Sequence, residues 1–482
     1  MKKINTCNDN IFALSTPVGG AIAVIRASGS GVLPVLGEIF SGRIEHRQLN
    51  YGKITDRIEP DGGQGEERKE NDTGALAVLD EAMAVYFRAP HSYTGEDMFE
   101  LNLHGSYSVV SAVSRALTRR GMRLAEAGEF TKRAFLNGKM DLVQADAVMD
   151  LINAETRRGA SAALEQLEGG LSRRIGAIEE KLLDFASELA AAMDYPEEME
   201  DEVLSAAPEV LNSAISRIRD LIDNGNCNKI IREGAKLAIL GRPNVGKSSL
   251  LNALMNAERA IVTNIAGTTR DVLEEKIDLL GLPVRIADTA GIHETGDAVE
   301  KIGIERALHE AASAECVLLL FDGSAGITQE DERLVQKVFG MNCRNVIFVI
   351  NKCDLSDCGT AAEQLKNIAP ENGGSISRIS CRTGFGLDEL KHRIAEAVGL
   401  SEGRAIVTNE RHIECLSAAC AELCEAAELF SKGGNAAEML LPQTELVAES
   451  VGNALHCLGE ISGREVSEEL LDRIFERFCV GK

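Results

Sequence analysis

The sequence predicts a multidomain protein with an α+β N-terminal domain, a discontinuous α-helical bundle and an α/β P-loop domain inserted into that bundle. Three observations predict this fold. Short β-branched segments alternate with Gly and Pro breaks over residues 5–120. Apolar residues recur at helical spacing over 126–225 and again after 410. Between these regions, residues 241–248 read GRPNVGKS, which fits the phosphate-binding pattern G-x-x-x-x-G-K-[ST].

The N-terminal domain is expected at residues 1–120. Residues 11–25 predict a pair of strands, of which 21–26 is the clearer. The remaining predictions are strands at 75–79, 83–87 and 98–103 and a helix at 109–118. Residues 59–72 contain almost no apolar side chain, so they predict a solvated loop with no assigned function.

The helical bundle is expected in two parts, at residues 121–232 and 399–482. Helices are predicted at 141–152, at 160–189 with a break at Gly169–Gly170, and at 410–430, 437–461 and 464–478. The last helices are short and would bury too little surface alone, which favours one bundle built from both parts. Two separate helical pieces are the alternative.

The P-loop domain is expected at residues 233–398. An apolar segment at 236–240 predicts a buried strand, and 249–255 predicts a helix. A strand, a glycine loop and a helix direct backbone N–H groups and the positive helix end toward a polyphosphate. We therefore expect Lys247 to reach the β- and γ-phosphates and Ser248 to bind Mg²⁺.

Three further motifs follow in order. Asp288 starts a D-T-A-G stretch after the apolar segment 283–287, where its carboxylate can join the Mg²⁺ shell. Asp354 ends an N-K-C-D stretch after 345–350, and its carboxylate can accept hydrogen bonds from both guanine N1–H and the 2-amine. Adenine offers no such pair of donors. Residues 380–382 follow 376–379 and suit a backbone contact with guanine O6, so the four motifs predict a GTPase domain.

The residue after D-T-A-G departs from the pattern of Ras-type GTPases. Those proteins carry a Gln there that orients the attacking water, whereas this chain has Ile292. Either the domain hydrolyses poorly alone or another group positions the water, and Glu294 and Glu300 are the candidates. Residues 261–271 predict a switch I segment in which one threonine binds Mg²⁺ when the γ-phosphate is present.

Composition excludes several function classes. A net charge of −24 argues against non-specific nucleic-acid binding over the whole surface, although a local basic patch stays open. Trp is absent and aromatic residues make up 4%, which disfavours an RNA-stacking platform. No apolar run is long enough to span a membrane and no signal peptide is evident, so a cytoplasmic protein is expected.

Twelve cysteines are present without a C-x-x-C pair. Cys415, Cys420 and Cys424 share one helix-like segment, but a zinc site there would need a fourth ligand from elsewhere. We therefore expect the cysteines to be reduced and half-buried.

Over essentially its full length the sequence resembles the MnmE (TrmE) family of tRNA-modification GTPases. The GRPN P-loop is common to many GTPases, whereas the N-terminal segments and the Cys-x-Gly-Lys ending are specific to this family. The segments that carry the resemblance are 19–26 (GGAIAVIR), 92–97 (SYTGED), 128–139 (GEFTKRAFLNGK), the P-loop and 478–482 (FCVGK).

The resemblance implies a function beyond GTP hydrolysis. It implies an N-terminal domain that binds a tetrahydrofolate derivative and forms a homodimer. It also implies an FAD-dependent partner, MnmG (GidA), in a heterotetramer or larger complex that acts on tRNA. Together the proteins would install aminomethyl or carboxymethylaminomethyl groups at C5 of the wobble uridine; ammonia and glycine both stay open as nitrogen donors. The implied folate contacts are Arg26, Glu100, Lys139 and Lys482.

The resemblance also implies potassium-stimulated hydrolysis that needs two GTPase domains to meet. Glu300 matches the residue that positions water, which would answer the gap left by Ile292. Where the family usually has Arg, this chain has His293, so a guanidinium role there is in doubt. The implied K⁺ ligands are Asn244, Thr263, Ile265 and Thr268, and the implied Mg²⁺ ligands are Ser248 and Thr269.

Motifs and resemblance together assign the following residues to GTP binding: Asn244, Val245, Gly246, Lys247, Ser248, Ser249, Thr263, Asn264, Ile265, Ala266, Gly267, Thr268, Thr269, Asp288, Thr289, Ala290, Gly291, Asn351, Lys352, Asp354, Ser380, Cys381 and Arg382.

The segment 478–482 would ordinarily predict a frayed tail. Phe475 and Phe478 can anchor it, however, and Gly481 lets the backbone turn into a confined site. Cys479 would then lie near the bound folate as a candidate catalytic residue. The hypothesis is that this tail serves tRNA modification and not GTP turnover.

Two other functions compete with this interpretation. One is a GTP-dependent switch in ribosome assembly, which would need neither the N-terminal folate segments nor Cys479. The other is a stand-alone folate-dependent methyltransferase, which would leave four GTP motifs unexplained.

Overall fold

The computed structural model describes residues 9–57, 76–194, 196–257, 275–286, 308–341, 343, 345–368, 374–399, 409–432 and 441–481. The backbone divides into two compact units. The first runs to Ala145 and takes in the chain from Ser462 onward, and the second spans Asp146–Ile461. The domain boundaries expected from the sequence stay a prediction.

A six-stranded sheet organises the first unit. Its strands are β1 (Ile11–Leu14), β2 (Ile22–Ser28), β3 (Leu49–Arg57), β4 (Leu76–Phe87), β5 (Met98–His104) and β6 (Arg123–Leu124). They lie in the order β3-β4-β5-β2-β1-β6, and all neighbours are antiparallel except β1 and β6.

Two details of this sheet differ from the sequence prediction. The segments 75–79 and 83–87 belong to one continuous strand, because β3 pairs with it from Leu76 to Val85 and so spans the gap between them. Strand β3 was not predicted. Its outward residues are Leu49, Tyr51 and Lys53. Because Leu49 and Tyr51 are apolar although exposed, the sequence of β3 does not alternate between apolar and polar residues as a half-buried strand usually does.

Helices cover both faces of this sheet. On one face α1 (Val32–Ile39) and α2 (Tyr107–Arg119) bury Leu36 and Val113 with Ile25 and Leu101. On the other face Phe130 of α3 (Glu129–Leu136) packs on Ile11 and Met98. Farther along the chain, α14 (Glu468–Phe475) packs against α3, with a 2.5 Å ion pair between Lys132 and Asp472. Sequence-distant residues thus complete this unit.

Long helices form part of the second unit. They are α4 (Leu142–Asn153), which begins in the first unit, and α5 (Arg157–Leu167), α6 (Gly170–Asp194), α7 (Pro196–Glu233), α12 (Glu410–Lys432) and α13 (Leu441–Ser462). The predicted break at Gly169–Gly170 is confirmed, since Gly169 adopts φ 81° between α5 and α6. Helix α7 packs against both α6 and α12, so helices from either side of the P-loop domain contact each other.

A buried ion cluster joins α4 to α12. The Asp146 carboxylate lies 2.9 Å from Arg411 Nη2 and 3.2 Å from His412 Nε2, and His412 is fully buried. Burial opposes ionisation of Asp146, but the hydrogen bonds and charges of His412 and Arg411 outweigh it. The pKa of this carboxyl therefore lies below its usual value.

The second sheet belongs to the P-loop region. Its strands are β7 (Ala235–Gly241), β8 (Glu275–Leu279), β9 (Leu282–Ile286), β10 (Cys316–Asp322), β11 (Val346–Asn351) and β12 (Ser375–Arg378). They lie in the order β12-β11-β10-β7-β9-β8, and only the β8–β9 pair is antiparallel. The strands predicted at 236–240, 283–287, 345–350 and 376–379 are confirmed to within a residue or two.

Both faces of this sheet are apolar, as expected for parallel strands between helices. Described helices of this region are α8 (Lys247–Ala257), α9 (Gln329–Gly340), α10 (Gly359–Ile368) and α11 (Leu387–Ala397). Alternate residues of β10 enter different cores, with Leu318 on one side and Leu319 on the other. The carboxyl ends of β7, β10 and β11 consequently meet at one edge, where ligands of such folds bind.

Candidate functional site

The phosphate-binding loop leaves β7 and enters α8 with two residues in left-handed conformations. Asn244 has φ 63° and Gly246 has φ 104°. A Cβ on Gly246 would lie 2.3 Å from Nδ2 of Asn351, so only glycine fits there. This turn places backbone N–H groups beside the N-terminus of α8, an arrangement that attracts anions.

Lys247 and Ser248 stand at the first positions of α8. The Lys247 ammonium donates to the carbonyl oxygens of Gly241 at 2.7 Å and Arg242 at 2.9 Å, so it lies across its own loop. Arg242 in turn donates to the buried carboxylate of Asp331 at 2.8 Å, which fixes the loop to α9.

The side chain of Asn351 connects three loops. Its Nδ2 donates to the Val245 carbonyl at 3.0 Å, and its Oδ1 accepts from the Cys381 backbone N–H at 3.1 Å. Asn351 is buried, and these bonds satisfy both ends of its amide. The phosphate loop is thereby fixed to the two loops predicted to hold guanine.

Both carboxylate oxygens of Asp354 have partners in the loop at residues 380–382. Ser380 Oγ donates to Oδ1 at 2.7 Å, and Arg382 Nε lies 3.0 Å from Oδ2. The Ser380 hydrogen bond is the largest influence on this carboxyl and, with the Arg382 charge, it lowers the pKa of Asp354. The carboxylate is therefore ionised at neutral pH and offers two acceptors, as recognition of guanine requires.

Lys352 completes the connection between these loops. It adopts φ 64°, and its ammonium donates to the Asn244 carbonyl at 2.9 Å and to Asp322 Oδ2 at 2.6 Å. Asp322 was not predicted as a site residue. The signal was available, since Asp322 ends the apolar strand β10 at the same sheet edge as Asn351.

Several predicted site residues lie outside the described residues. They are the switch I residues Thr263, Asn264, Ile265, Ala266, Gly267, Thr268 and Thr269, the residues Asp288, Thr289, Ala290 and Gly291, the candidates Glu294 and Glu300 with Ile292 and His293, and Lys482. Ser249 is described and lies in the first turn of α8.

The N-terminal residues Arg26 and Glu100 meet in the first unit. They stand opposite each other on β2 and β5, and Arg26 Nη2 lies 2.8 Å from Glu100 Oε1. The guanidinium lies 5.5 Å from the Tyr93 ring centre and 5.8 Å from that of Phe130, which are cation–π contacts. The result is a half-buried polar pair between two aromatic rings.

Lys139 contacts the loop 90–95, which carries Tyr93. Its ammonium donates to the Pro90 carbonyl at 3.0 Å, and its Cγ would lie 3.2 Å from a Cβ on Gly95. Three of the four predicted folate contacts are therefore described. Arg26 and Lys139 contact the loop 90–95, and Glu100 pairs with Arg26.

Residues 478–481 dock on the first unit's sheet. Ser15 Oγ donates to the Gly481 carbonyl at 3.2 Å, and Arg26 Nη1 donates to the same oxygen at 3.3 Å. Val480 forms a β-bridge with Ala127, Phe478 packs on Phe475, and Cys479 is exposed. The tail thus contacts Arg26, one of the predicted folate residues.

The expectation that the cysteines are reduced is corrected at one pair. The structure joins the sulfur atoms of Cys353 and Cys358, whose Cα atoms are 5.7 Å apart. A turn closed by the Leu355 N–H and the Lys352 carbonyl at 3.0 Å brings them together, so their C-x₄-C spacing escapes a search for C-x-x-C. Of the cysteines with described side chains, eight others are free, and no group of His, Cys, Asp and Glu in the described part of the chain suits a metal ion.

No helix among the described residues is both long and apolar enough to cross a membrane.

The phosphate loop and the two base-recognition loops define a P-loop guanine-nucleotide-binding protein. The model of the MnmE helical domain matches residues 142–479, and that of the GTP-binding protein TrmE N-terminus matches residues 10–139. The chain belongs to the MnmE family.

Similar proteins of known name agree with this assignment. The tRNA modification GTPase MnmE of Aquifex aeolicus is 41% identical, over 98% of this chain and 99% of that protein. The protein of the same name from Moorella thermoacetica is 40% identical, over 98% of this chain and all of that protein. Among solved structures, Era from Aquifex aeolicus bound to GDP and AlF₄⁻ is 28% identical over 39% of this chain and 66% of that one, but a TM-score of 0.29 supports no conclusion.

Proposed function

We propose that this protein is a GTP hydrolase that acts in tRNA modification. The observation that carries the proposal is the guanine site, in which Asp354 offers two acceptors while Asn351 ties it to the phosphate loop. Relatives about 40% identical over nearly the whole chain bear the name tRNA modification GTPase. A nucleotide site of this kind within that family accounts for both halves of the proposal.

The phosphate end of the site fits a magnesium–triphosphate complex. Backbone N–H groups of the loop face the start of α8, and the Ser248 hydroxyl is the hard oxygen donor that Mg²⁺ prefers. Bound Mg²⁺ would neutralise charge on the β- and γ-phosphates. The Lys247 ammonium can leave the two carbonyl oxygens and bind phosphate oxygens instead, because those carbonyls lie on the same phosphate-binding loop.

Hydrolysis is proposed to depend on K⁺ and on a second GTPase domain. The support is that Ile292 has no group to orient water, while Asn244 lies in the phosphate loop and has a hard side-chain oxygen. The proposed K⁺ ligands are Asn244, Thr263, Ile265 and Thr268, with Thr269 joining Ser248 on Mg²⁺ and Glu300 positioning water. A monovalent cation there would do the charge work of an arginine finger.

A tetrahydrofolate derivative is the proposed ligand of the first unit. The residues fit such a group, since Arg26 and Glu100 form a polar pair flanked by the rings of Tyr93 and Phe130, and Lys139 adds a cation beside the same loop. A pterin has a polar edge and a flat face, and its glutamate carries carboxylates. When bound, the folate would supply the one-carbon unit. Lys482 is proposed as a further contact.

The tail is proposed to serve this reaction. The Gly481 carbonyl accepts a hydrogen bond from Arg26, a proposed folate contact, and the exposed thiol of Cys479 lies two residues before Gly481. A role in modification accounts for this placement, whereas GTP turnover does not require it.

Assembly as a homodimer is proposed through the first unit. On the outer face of the β3–β4 ribbon Tyr51 stands opposite Met83, and their exposed fractions are 63% and 46% beside Leu49 at 57%. A cluster of exposed apolar side chains of this kind marks a contact surface. The proposal includes an inserted GTPase domain within a helical bundle, for which the contact of α7 with α12 is the support.

The proposed reaction joins these parts in the cytoplasm. With an FAD-dependent partner, MnmG (GidA), the protein installs aminomethyl or carboxymethylaminomethyl groups at C5 of the tRNA wobble uridine. A switch in ribosome assembly is the competing function, and it makes no use of Arg26, Glu100 or Cys479.

The decisive experiment measures modified nucleosides in tRNA from cells that lack the gene. We expect C5-substituted wobble uridines to disappear, to return with the wild-type gene and to stay absent with Cys479→Ser or without residues 479–482. The same two variants, purified, should hydrolyse GTP at nearly the wild-type rate. Unchanged nucleosides in the deleted strain, with a ribosome-assembly defect, would establish the competing function instead.

A further inference from the structure

Two cysteines lie on either side of Asp354, the proposed guanine-binding carboxylate, in the sequence. Cys353 directly precedes Asp354, and Cys358 follows it by four residues. Their sulfur atoms are joined, and the Cα separation of 5.7 Å lies in the range that disulfides span. Among the cysteines whose side chains the structure describes, the other eight are unpaired. The pair therefore encloses Asp354 in a short covalent ring.

The Cys358 end of this ring is held firmly. Cys358 is 3% exposed, and a Cβ on Gly323 would lie 2.5 Å from its sulfur, so it packs directly on the backbone that follows β10. Ser356 Oγ donates to the Gly323 carbonyl at 2.8 Å. Cys358 therefore cannot move toward this backbone when the bond between the sulfurs opens.

The Cys353 end is less buried and carries Asp354. Cys353 is half-buried and is tied to the neighbouring loop through its N–H, which donates to the Ile379 carbonyl at 3.2 Å. Two thiols need more separation than two bonded sulfurs, so reduction moves this end. In the form with the two sulfurs joined, Ser380 Oγ lies 2.7 Å from Asp354 Oδ1, and both carboxylate oxygens face the base-recognition loops.

We propose that Cys353 and Cys358 form a reversible disulfide that holds Asp354 in position for guanine, so that oxidation tightens guanine-nucleotide binding. The inference rests on the proposed function. A group held in its binding geometry loses less conformational freedom when the ligand arrives. Reversible disulfides are the kind that act as redox sensors in reducing compartments.

The oxidant is a small disulfide, RS–SR. The thiolate of one cysteine attacks a sulfur of RS–SR and expels RS⁻, which gives a mixed disulfide. The second cysteine's thiolate attacks the protein sulfur of that mixed disulfide and expels the second RS⁻. Two electrons pass from the protein to the oxidant, and the two thiol protons leave with two molecules of RSH.

The experiment uses the full chain equilibrated with oxidised glutathione or with a phosphine reductant. Trypsin releases residues 353–366 as one peptide, so the disulfide appears as a loss of two hydrogens by mass spectrometry. The dissociation constant of a fluorescent GDP analogue is then measured in both states. We expect binding about 3- to 10-fold tighter in the oxidised state.

Variants and a second nucleotide make the test specific. Cys353→Ser and Cys358→Ser should each remove the redox effect and bind GDP as the reduced wild type does. Cys343→Ser is the matched control, because Cys343 is unpaired in the same region and outside the nucleotide loops, and it should keep the effect. Inosine diphosphate lacks the 2-amine that would donate a hydrogen bond to Asp354. The difference in its affinity between the oxidised and reduced states should therefore be smaller than the difference for GDP.

Each adverse outcome has a distinct meaning. A peptide that never loses two hydrogens, or equal GDP affinity in both states, would overturn the disulfide switch and leave the proposed function intact. Loss of the effect in Cys343→Ser would overturn it as well. Failure to bind guanine nucleotides in either redox state would overturn the proposed function itself.

Discussion

Gly481 is the residue at which substitution should separate the two proposed activities. It adopts φ 93°, and a Cβ there would lie 2.7 Å from the Leu14 carbonyl oxygen and 3.1 Å from Ser15 Cα. Both neighbours are backbone atoms at the end of β1 and cannot yield cheaply. Gly481→Ala should therefore release the tail from the first unit.

Two costs set the size of this effect. An alanine in the left-handed region costs about 1–2 kcal/mol. The overlap of the added methyl group with the Leu14 carbonyl oxygen and Ser15 Cα costs roughly a further 1–3 kcal/mol, and it is relieved when the tail moves away. A total of about 3 kcal/mol lowers the docking equilibrium roughly 100-fold.

Three measurements follow this variant. Carboxypeptidase should trim the released tail faster than the wild-type tail, wobble-uridine modification in complemented cells should fall at least tenfold, and GTP turnover should change less than twofold. Gly121→Ala is the matched control. Gly121 has φ 78° in the same unit, but no atom lies within 4 Å of the position that a Cβ would take, so this variant carries the conformational cost without the clash.

One outcome would contradict a role for the docked tail. In it, the tail of Gly481→Ala is trimmed faster than that of Gly121→Ala, but the two variants modify tRNA equally well. Equal trimming in both variants would instead show that the backbone accommodates the methyl group.

Three further outcomes are expected. Asp354→Asn replaces one acceptor by a donor, so GTP affinity should fall by roughly 100-fold or more and preference should shift toward xanthosine triphosphate, as measured by competition; unchanged GTP affinity would contradict the assignment. GTP turnover should fall sharply when Na⁺ replaces K⁺ at constant ionic strength, and Glu300→Ala should lose turnover but keep nucleotide affinity; equal rates in both salts would reject the cation role. Asp146→Asn should destabilise the fold by about 3–5 kcal/mol at neutral pH in urea unfolding. Because the pKa of Asp146 is lowered in the fold, its stabilisation is present above the ordinary value of 3.8 and is lost as the pH falls below it, so the difference from wild type should shrink there.

The nucleotide site was predictable because its geometry is local. Lys247 follows Gly246 directly, and Asp354 lies three residues from Asn351 at the end of one strand, so chain spacing nearly fixes where these groups point. Parallel strands then bring the loops to one edge regardless of how far apart they are in sequence.

The proposed N-terminal site rests on a prediction made only through resemblance. Arg26 and Glu100 meet because β2 and β5 pair in one register, and a shift by one residue would turn their side chains to opposite faces. No periodicity within either segment specifies that register. The pair of Cys353 and Cys358 was missed for a similar reason, since it depends on a turn that the spacing alone does not define.

The packing of α14 on α3 bears on the order in which the protein is made. Phe475 and Phe478 are buried in a unit whose sheet is synthesised first, while the 316 residues of Asp146–Ile461 separate the two parts. At 5–20 residues per second the ribosome needs about 15–60 s to cross that interval. The nascent sheet must wait that long with its docking surface around Gly128 uncovered, so this surface is where a chaperone would be expected to bind the growing chain.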